Sequence, residues 1–359
     1  MSRKVPARRR ARKTQLSLRR RLAVAVGSAL TVLAIIAAMA AAWTLWVFNG
    51  PGPLAQQGAN TVVVLRRGSG LSEISTALEQ GGAIRSASVF AAAAQVTGAA
   101  RELKAGEYEF PSRASVAEVL DRVRHGRIVR HFVTIPEGVT SETAVDILMA
   151  NAVLEGSAPV PSEGAILPET YDVERGEDRA IVLKRMMDAR DRQLSDLWAK
   201  RRADLPLATP EEAVILASVV EKETALPSER PRIAAVFVNR LQQGIRLESD
   251  PTIIYGLTRG KPLGRGLRQS ELDRPNAWNT YQINGLPPTP IANPGRASLA
   301  AVLDPPRTHE LFFVADGKGG HVFSTTYAEH LRNVAQWRQV EKTQKATPLE
   351  RAPIHRPEN

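Results

Sequence analysis

TPEEAVILASVVEKETALPSERPRIAAVFVNRLQQGIRLESDP, residues Thr209–Pro251, encodes two helices in tandem. Thr209 can cap the first, Pro210 suits the first helical position, and Glu212 falls three residues after the cap, completing a capping box. Ala213–Val220 is apolar except for Ser218, so this helix is buried nearly all round. It delivers Glu221-Lys222-Glu223-Thr224. A carboxyl at the inner end of a buried helix resists ionisation, which is what a general acid needs near neutral pH. Two readings of Glu221 stand: a neutral proton donor, or an ion pair with Arg230 or Arg240. The second helix runs from Glu229 to Gln243, with Pro231 in its first turn and Gly244 as its stop. Its apolar face is Ile233, Val236, Phe237 and Leu241. Arg246–Pro251 reads as extended, because the residue before a proline avoids the helical region. Asp250 is a turn former or a second carboxylate.

The chain has 359 residues, enough for two domains, and a net charge of +11. Ten basic residues lie in Met1–Arg21, and the first acid is Glu73. The rest of the chain is therefore near neutral, and the charge describes a tail rather than a nucleic-acid-binding domain. Leu22–Phe48 carries no charge and has Trp43 and Trp46 near its far end. About 20 apolar residues span a bilayer, so this run suffices. A cleaved signal peptide is the alternative: its core is shorter, roughly 7–15 residues, but the Ala-rich end of this run offers a cleavage site. Arginines before the span and none just after it orient the N-terminus to the cytoplasm. Everything after Asn49 then lies outside the cytoplasmic membrane. The absence of cysteine rules out a disulfide framework and leaves the compartment open.

Asn49–Pro53 ends the span and starts a linker. Val62–Leu65, a β-branched run, is followed by a Gly68 turn and a helical stretch Leu71–Leu78. Val133–Ile135 is followed by the Gly138 turn and a helical stretch Ser141–Leu148. Between them Gly106–Phe110 alternates polar and aromatic residues as a half-buried strand does, and Val116–Val123 is amphipathic. Strand, turn and helix thus recur three times, either as an internal repeat or as chance likeness among short β-α units. Ile181–Lys200 reads as a long packing helix.

Beyond Pro251, Trp278–Tyr281 leads into a proline-stiffened loop through Gly295. Long ordered loops are often functional. Asn, Thr and Tyr here offer neutral hydrogen bonds suited either to sugar hydroxyls and acetamides or to the loop's own backbone. Asn293-Pro294 starts a helix through Leu303. Leu311–Ala315 and His321–Ser324 flank a glycine-rich hairpin turn. Thr326 opens a last helix to Val340, and Glu341–Asn359 is a polar tail. No cysteine nucleophile, His-Glu-x-x-His zinc pair or phosphate loop is present in the sequence. No metal or cofactor is therefore expected, and carboxylate chemistry survives.

Several ordered motifs carry a resemblance. They are Val219–Thr224, Ser228-Glu229-Arg230, Val236–Leu241, Leu247–Thr252, Tyr255-Gly256, Asn279-Thr280-Tyr281, Gly285–Pro288, Ile291–Gly295 and Phe312–His321. Together they resemble the endolytic murein transglycosylases of the MltG or YceG-like family. The N-terminal half resembles that family in a single span followed by a LysM-like module. The resemblance implies lytic cleavage of the MurNAc–GlcNAc β-1,4 bond of peptidoglycan strands, leaving a 1,6-anhydro-MurNAc end. It assigns the catalytic glutamate to Glu221, with Glu223 bracing the site. Asn239, Asp250, Asn279, Thr280 and Tyr281 would orient the sugars.

The expected fold class is α+β. A basic cytoplasmic tail (1–21) precedes a transmembrane helix (22–48) and a linker (49–61). A LysM-like module (62–135), a mixed α/β catalytic domain (136–340) and a flexible tail (341–359) follow. The expected partners are peptidoglycan glycan strands, the cytoplasmic membrane and peptidoglycan synthases, with no nucleic acid. The rivals are a muramidase-type hydrolase using Asp250, a non-catalytic glycan-binding scaffold, and a nucleic-acid-binding membrane protein resting on the basic tail.

Overall fold

The computed structural model describes residues 9–346. The outer parts of the expected basic tail and C-terminal tail lie outside the described residues. The chain divides into two units, residues 1–130 and 131–359.

The first unit begins with a continuous helix, α1 (Arg9–Asn49). Its Arg20–Asn49 portion, 30 residues, is the one helix among the described residues long and apolar enough to cross a membrane. There follow β1 (Asn60–Leu65), α2 (Leu71–Gln80), α3 (Ala87–Val96), β2 (Gly106–Pro111) and α4 (Val116–His125). β1 and β2 pair antiparallel with Val63 opposite Tyr108. Alternation sends Val63 and Leu65 inward and leaves Val62 and Val64 exposed. Tyr108 and Phe110 stack with ring centroids 5.8 Å apart and fill a core with Ile74, Leu78 and Phe90. The sequence reading missed α3, whose run of four alanines blurs its amphipathic period. Ser86 caps it, accepting from the Val89 N–H.

The second unit contains β3 (His131–Thr134), α5 (Ser141–Ala150), β4 (Thr170–Val173), α6 (Arg179–Ala199), α7 (Pro210–Glu223), α8 (Arg230–Gln242) and α9 (Asp250–Thr258). It continues with α10 (Gln269–Leu272), α11 (Arg296–Leu303), β5 (Phe312–Ala315), β6 (His321–Ser324) and α12 (Tyr327–Ala346). β3 pairs antiparallel with β4, Val133 opposite Tyr171. The third strand of the apparent repeat therefore finds its partner in this unit and not in the β1–β2 ladder. β5 and β6 form the expected hairpin.

Helix α7 is the centre of the larger core. Thr209 accepts from the Glu212 N–H at 3.2 Å, and the Glu212 carboxylate takes the Ala208 N–H at 2.6 Å. Ala213, Leu216, Ala217, Val219 and Val220 are fully buried against Ile233, Phe237 and Val238 of α8 and Leu299 and Val302 of α11. Burying a large aliphatic side chain contributes about 1.5–3 kcal/mol, so this helix cannot shift without loss of the core.

Three expectations need correction. Arg246–Pro251 is not one extended stretch, since α9 begins at Asp250. Pro251 sits in its first turn, where a missing N–H is no loss, and the extended residue is Ser249, one step earlier. α11 begins at Arg296 with Gly295 as its cap, not at Asn293-Pro294. α12 continues past Val340 to Ala346.

Candidate active site

Glu221 and Glu223 are both in the last turn of α7. Two residues along a helix is roughly 200° of rotation, so the two carboxyl groups leave on opposite sides and meet different surroundings.

Glu221 faces α8 and α11. The Arg230 Nη2 donates to its Oε1 at 2.8 Å, while the Gly295 N–H and the Ser298 hydroxyl donate to its Oε2 at 2.9 and 2.7 Å. The two side chains are 4% and 9% exposed. Arg230 also reaches Glu137 Oε2 at 2.9 Å, so one guanidinium joins the turn after β3 to the end of α7. Gly295 permits this closeness: a Cβ there would lie 1.9 Å from the Glu137 carboxylate. Of the two readings open for Glu221, the structure contains the ion pair, and with Arg230 rather than Arg240. Every partner of Glu221 is a donor, so both oxygens are committed as acceptors. The burial expected for Glu221 is present, and its carboxyl lies among these three donors rather than in an apolar seat.

Glu223 faces the start of α9. Its Oε1 accepts from the Ser249 hydroxyl. Burial first, and then the nearby Asp250 carboxylate, push its carboxyl up to about 7, against the opposing pull of Ser249 and Arg240. The environment predicted for one glutamate thus belongs to its neighbour two positions on.

Ser249 is held from behind. Its N–H donates to Thr280 Oγ1 at 2.9 Å, its carbonyl accepts from Thr252 Oγ1 at 2.6 Å, and the two threonine hydroxyls are 2.9 Å apart. Ser249 is the N-cap of α9, yet its side chain makes no capping bond. With Pro251 lacking an N–H, the hydroxyl is diverted to Glu223. Asp250, exposed, accepts from the Tyr281 hydroxyl at 2.8 Å. Burial and the Asp250 charge push the Tyr281 hydroxyl well above its usual range, so it stays a donor.

The expected sugar-orienting residues separate into two groups. Glu223, Asp250 and Tyr281 come together, with Thr280 buried directly behind them. Asn279 is fully buried and spends its amide on the Leu272 and Arg274 carbonyls at 2.9 and 3.0 Å, while its Oδ1 holds the Tyr281 N–H. Asn239 binds the Thr308 and Glu310 carbonyls at 3.1 and 2.9 Å. Both brace loops.

Sequence reasoning missed Ser249, although it lies inside a quoted motif beside Asp250. Its signal was a cap position followed by proline, which frees the hydroxyl. It also missed Glu229, whose carboxylate takes the His321 N–H at 2.8 Å, meets His321 Nδ1 at 2.7 Å and accepts from Thr224 Oγ1 at 3.2 Å. These bonds pin the turn after Glu223 to the β5–β6 hairpin. The His321 contacts also hold the Glu229 carboxyl below the usual carboxylate range.

A family model for the YceG-like family matches residues 63–336. The chain is similar to a Bacillus subtilis protein named endolytic murein transglycosylase, at 30% identity over 229 residues, covering 63% of this chain and 58% of that protein. It is also similar to a Streptococcus pneumoniae D39 protein of the same name, at 28% identity over 325 residues, covering 76% of this chain and 58% of that protein. The chain thus spans less than two thirds of the length of these curated relatives. A crystal structure of a yceG-like protein from Listeria monocytogenes aligns with a TM-score of 0.48 at 27% identity, covering 76% of this chain and 98% of that one.

Proposed function

The chain belongs to the YceG-like family, and we propose that it is a membrane-anchored endolytic lytic transglycosylase acting on peptidoglycan glycan strands. The observation that carries this reading is the Glu223 carboxyl, pushed up to about 7 and hydrogen-bonded to a braced serine. The names of the relatives support the substrate class. We assign the proton-bearing role to Glu223 and a structural role to Glu221.

One carboxyl group serves twice. Protonated Glu223 gives its proton to the bridging oxygen as the bond from the MurNAc anomeric carbon to that oxygen breaks, releasing the GlcNAc 4-hydroxyl. The MurNAc 6-oxygen attacks the anomeric carbon, and Glu223 takes the proton from that hydroxyl. The new bond closes a 1,6-anhydro ring, the carboxyl is restored, and no water is consumed. An internal nucleophile reaches effective molarities of about 10⁵–10⁸ M, so a second carboxyl to activate water is dispensable. Asp250 supplies negative charge for the positive character that develops at the anomeric carbon, and Tyr281 fixes its orientation.

The muramidase-type reading uses Asp250 as the second carboxylate instead. Mass spectrometry of muropeptides from strands digested by the full chain in detergent separates the two. We expect anhydro-MurNAc ends, and reducing MurNAc ends would overturn the lyase. The length and apolar composition of α1 support a tether, and the arginines before the span, with none just after it, support an N-terminus in the cytoplasm and a catalytic unit outside. The β1–α4 unit, read as LysM-like, would hold the strand near the membrane, where termination of nascent glycan and contact with synthases become possible. A soluble form that restored normal strand lengths in cells lacking the protein would overturn the need for the tether.

A pH profile follows from the assignment. Only protonated Glu223 donates, so kcat/KM should fall as pH rises through about 7. The Ser249 hydroxyl favours the carboxylate form, so Ser249→Ala should move that limb to higher pH. A limb that stays in place on this substitution would contradict the role given to Ser249.

A further inference from the structure

Next to the carboxyl cluster lies a group of three rings that the mechanism leaves unused. Phe312 opens β5, and Tyr327 and His330 occupy the first turn of α12. The Phe312 and His330 rings stack with centroids 5.1 Å apart and an interplanar angle of 23°. Tyr327 lies 5.7 Å from Phe312 and 6.3 Å from His330. Two rings form a half-buried floor, and Tyr327, 61% exposed, stands at its open side with the exposed Leu331 one turn on. An exposed tyrosine held by two other rings is a rigid surface, since little side-chain freedom remains to be lost when something binds it.

The rings are continuous with the proposed active site. The Arg240 guanidinium lies 5.1 Å from the centre of the Phe312 ring. The same guanidinium holds Glu248 Oε2 at 3.0 Å and the Leu247 and Leu311 carbonyls at 3.1 and 2.6 Å. It therefore fixes the start of β5 to the loop that carries Ser249 and Asp250. The Glu248 side chain is 46% exposed, in a left-handed backbone conformation with φ +52°. Its charge is felt both by His330 and by the Tyr281 hydroxyl, so it is near both the rings and the Glu223 site. His330 Nδ1 is buried without a hydrogen-bond partner, and burial beside Arg240 holds this histidine down, so the ring is neutral and stacks as an aromatic.

Resting on the reading of the chain as a glycan-cleaving enzyme, we propose that Tyr327, on its Phe312–His330 floor, is a sugar-stacking subsite flanking the cleavage point, with Glu248 as its hydrogen-bond acceptor. One face of a pyranose ring presents C–H groups of slight positive charge, which pack on the negative face of an aromatic ring. The exposed carboxylates of Glu248 and Asp250 offer acceptors to sugar hydroxyls and acetamide N–H groups. Such a subsite touches no reacting atom, so its loss should weaken binding more than turnover.

The test uses the full chain in detergent and a peptide-free tetrasaccharide of alternating GlcNAc and MurNAc. Binding is measured by calorimetry in the Glu223→Gln background, and cleavage with Glu223 intact. Tyr327→Ala should raise Kd and KM about tenfold with kcat little changed, as loss of one well-packed aromatic contact implies. Tyr327→Trp should restore both, which a merely structural defect in α12 would not allow. Unchanged Kd and KM in Tyr327→Ala, with the parent protein active, would overturn the subsite and leave the enzyme reading standing. Binding that requires attached stem peptides would overturn the glycan as its occupant. A parent protein that neither binds nor cleaves the tetrasaccharide would overturn the subsite and the enzyme reading together.

Discussion

Glu223→Gln should abolish cleavage of peptidoglycan strands while leaving a folded protein. The loss should be about a thousandfold or more, since the substitution removes general acid and general base in one step. Glutamine keeps the volume and an oxygen to accept the Ser249 hydroxyl, so the packing around the end of α7 survives. Stability moves in a direction that activity does not share. The Glu223 carboxyl is raised from 4.5 to about 7 by folding. The stability it lends the folded state is complete below the unfolded value and is lost as pH rises through the folded one. Wild type should therefore lose stability between those pH values, and Glu223→Gln should lack that decline. Melting followed across this range, beside muropeptide release, checks both halves. A variant that keeps its activity contradicts the assignment.

Glu221→Ala should behave in the opposite way, as a folding defect first. It leaves Arg230 buried with Glu137 alone, and it strips the Gly295 N–H and the Ser298 hydroxyl of their acceptor. Removing one partner of a buried, hydrogen-bonded ion pair costs about 3–5 kcal/mol, which for a unit of this size lowers the melting temperature by about 10 °C. Glu221→Gln, which keeps an acceptor for Gly295 and Ser298, should lose less. The activity remaining in either variant should follow its folded fraction, as measured by thermal melts and cleavage rates on the same samples. A Glu221→Gln protein that melts like wild type yet cleaves nothing would return the proton-bearing role to Glu221.

The contrast between these two residues locates what the sequence could and could not tell. The start of α7 was legible in Thr209-Pro210-Glu211-Glu212, because capping is a local affair settled within four residues. The hairpin around Gly317 was legible for the same reason. The burial of α7 followed from an apolar run with no polar face. The sequence offered Arg230 or Arg240 as a partner for Glu221 but could not choose between that ion pair and a neutral carboxyl, because the choice depends on the side of α7 against which α8 packs. A rotation of 200° exchanges the answers. The partner of Glu223, Ser249, is 26 residues away in sequence, and it was overlooked because Arg246–Pro251 read as an extended stretch with no helix to cap. The start of α9 was missed because the rule that residues before proline avoid helix was applied to Asp250, when the extended residue is Ser249. Asn279 and Thr280 looked like sugar ligands because their side chains suit sugars. They are equally suited to backbone carbonyls and neighbouring hydroxyls, and burial decided in favour of those.

In the proposed reaction the MurNAc 6-oxygen, and not water, closes on the anomeric carbon, while Glu223 gives a proton to the departing GlcNAc and takes one from the MurNAc 6-hydroxyl. Cleavage carried out in water enriched in oxygen-18, followed by mass spectrometry of the new MurNAc ends, tests this most directly. The account predicts anhydro ends without label. One oxygen-18 atom at the anomeric carbon of each new end would contradict it and make the protein a hydrolase.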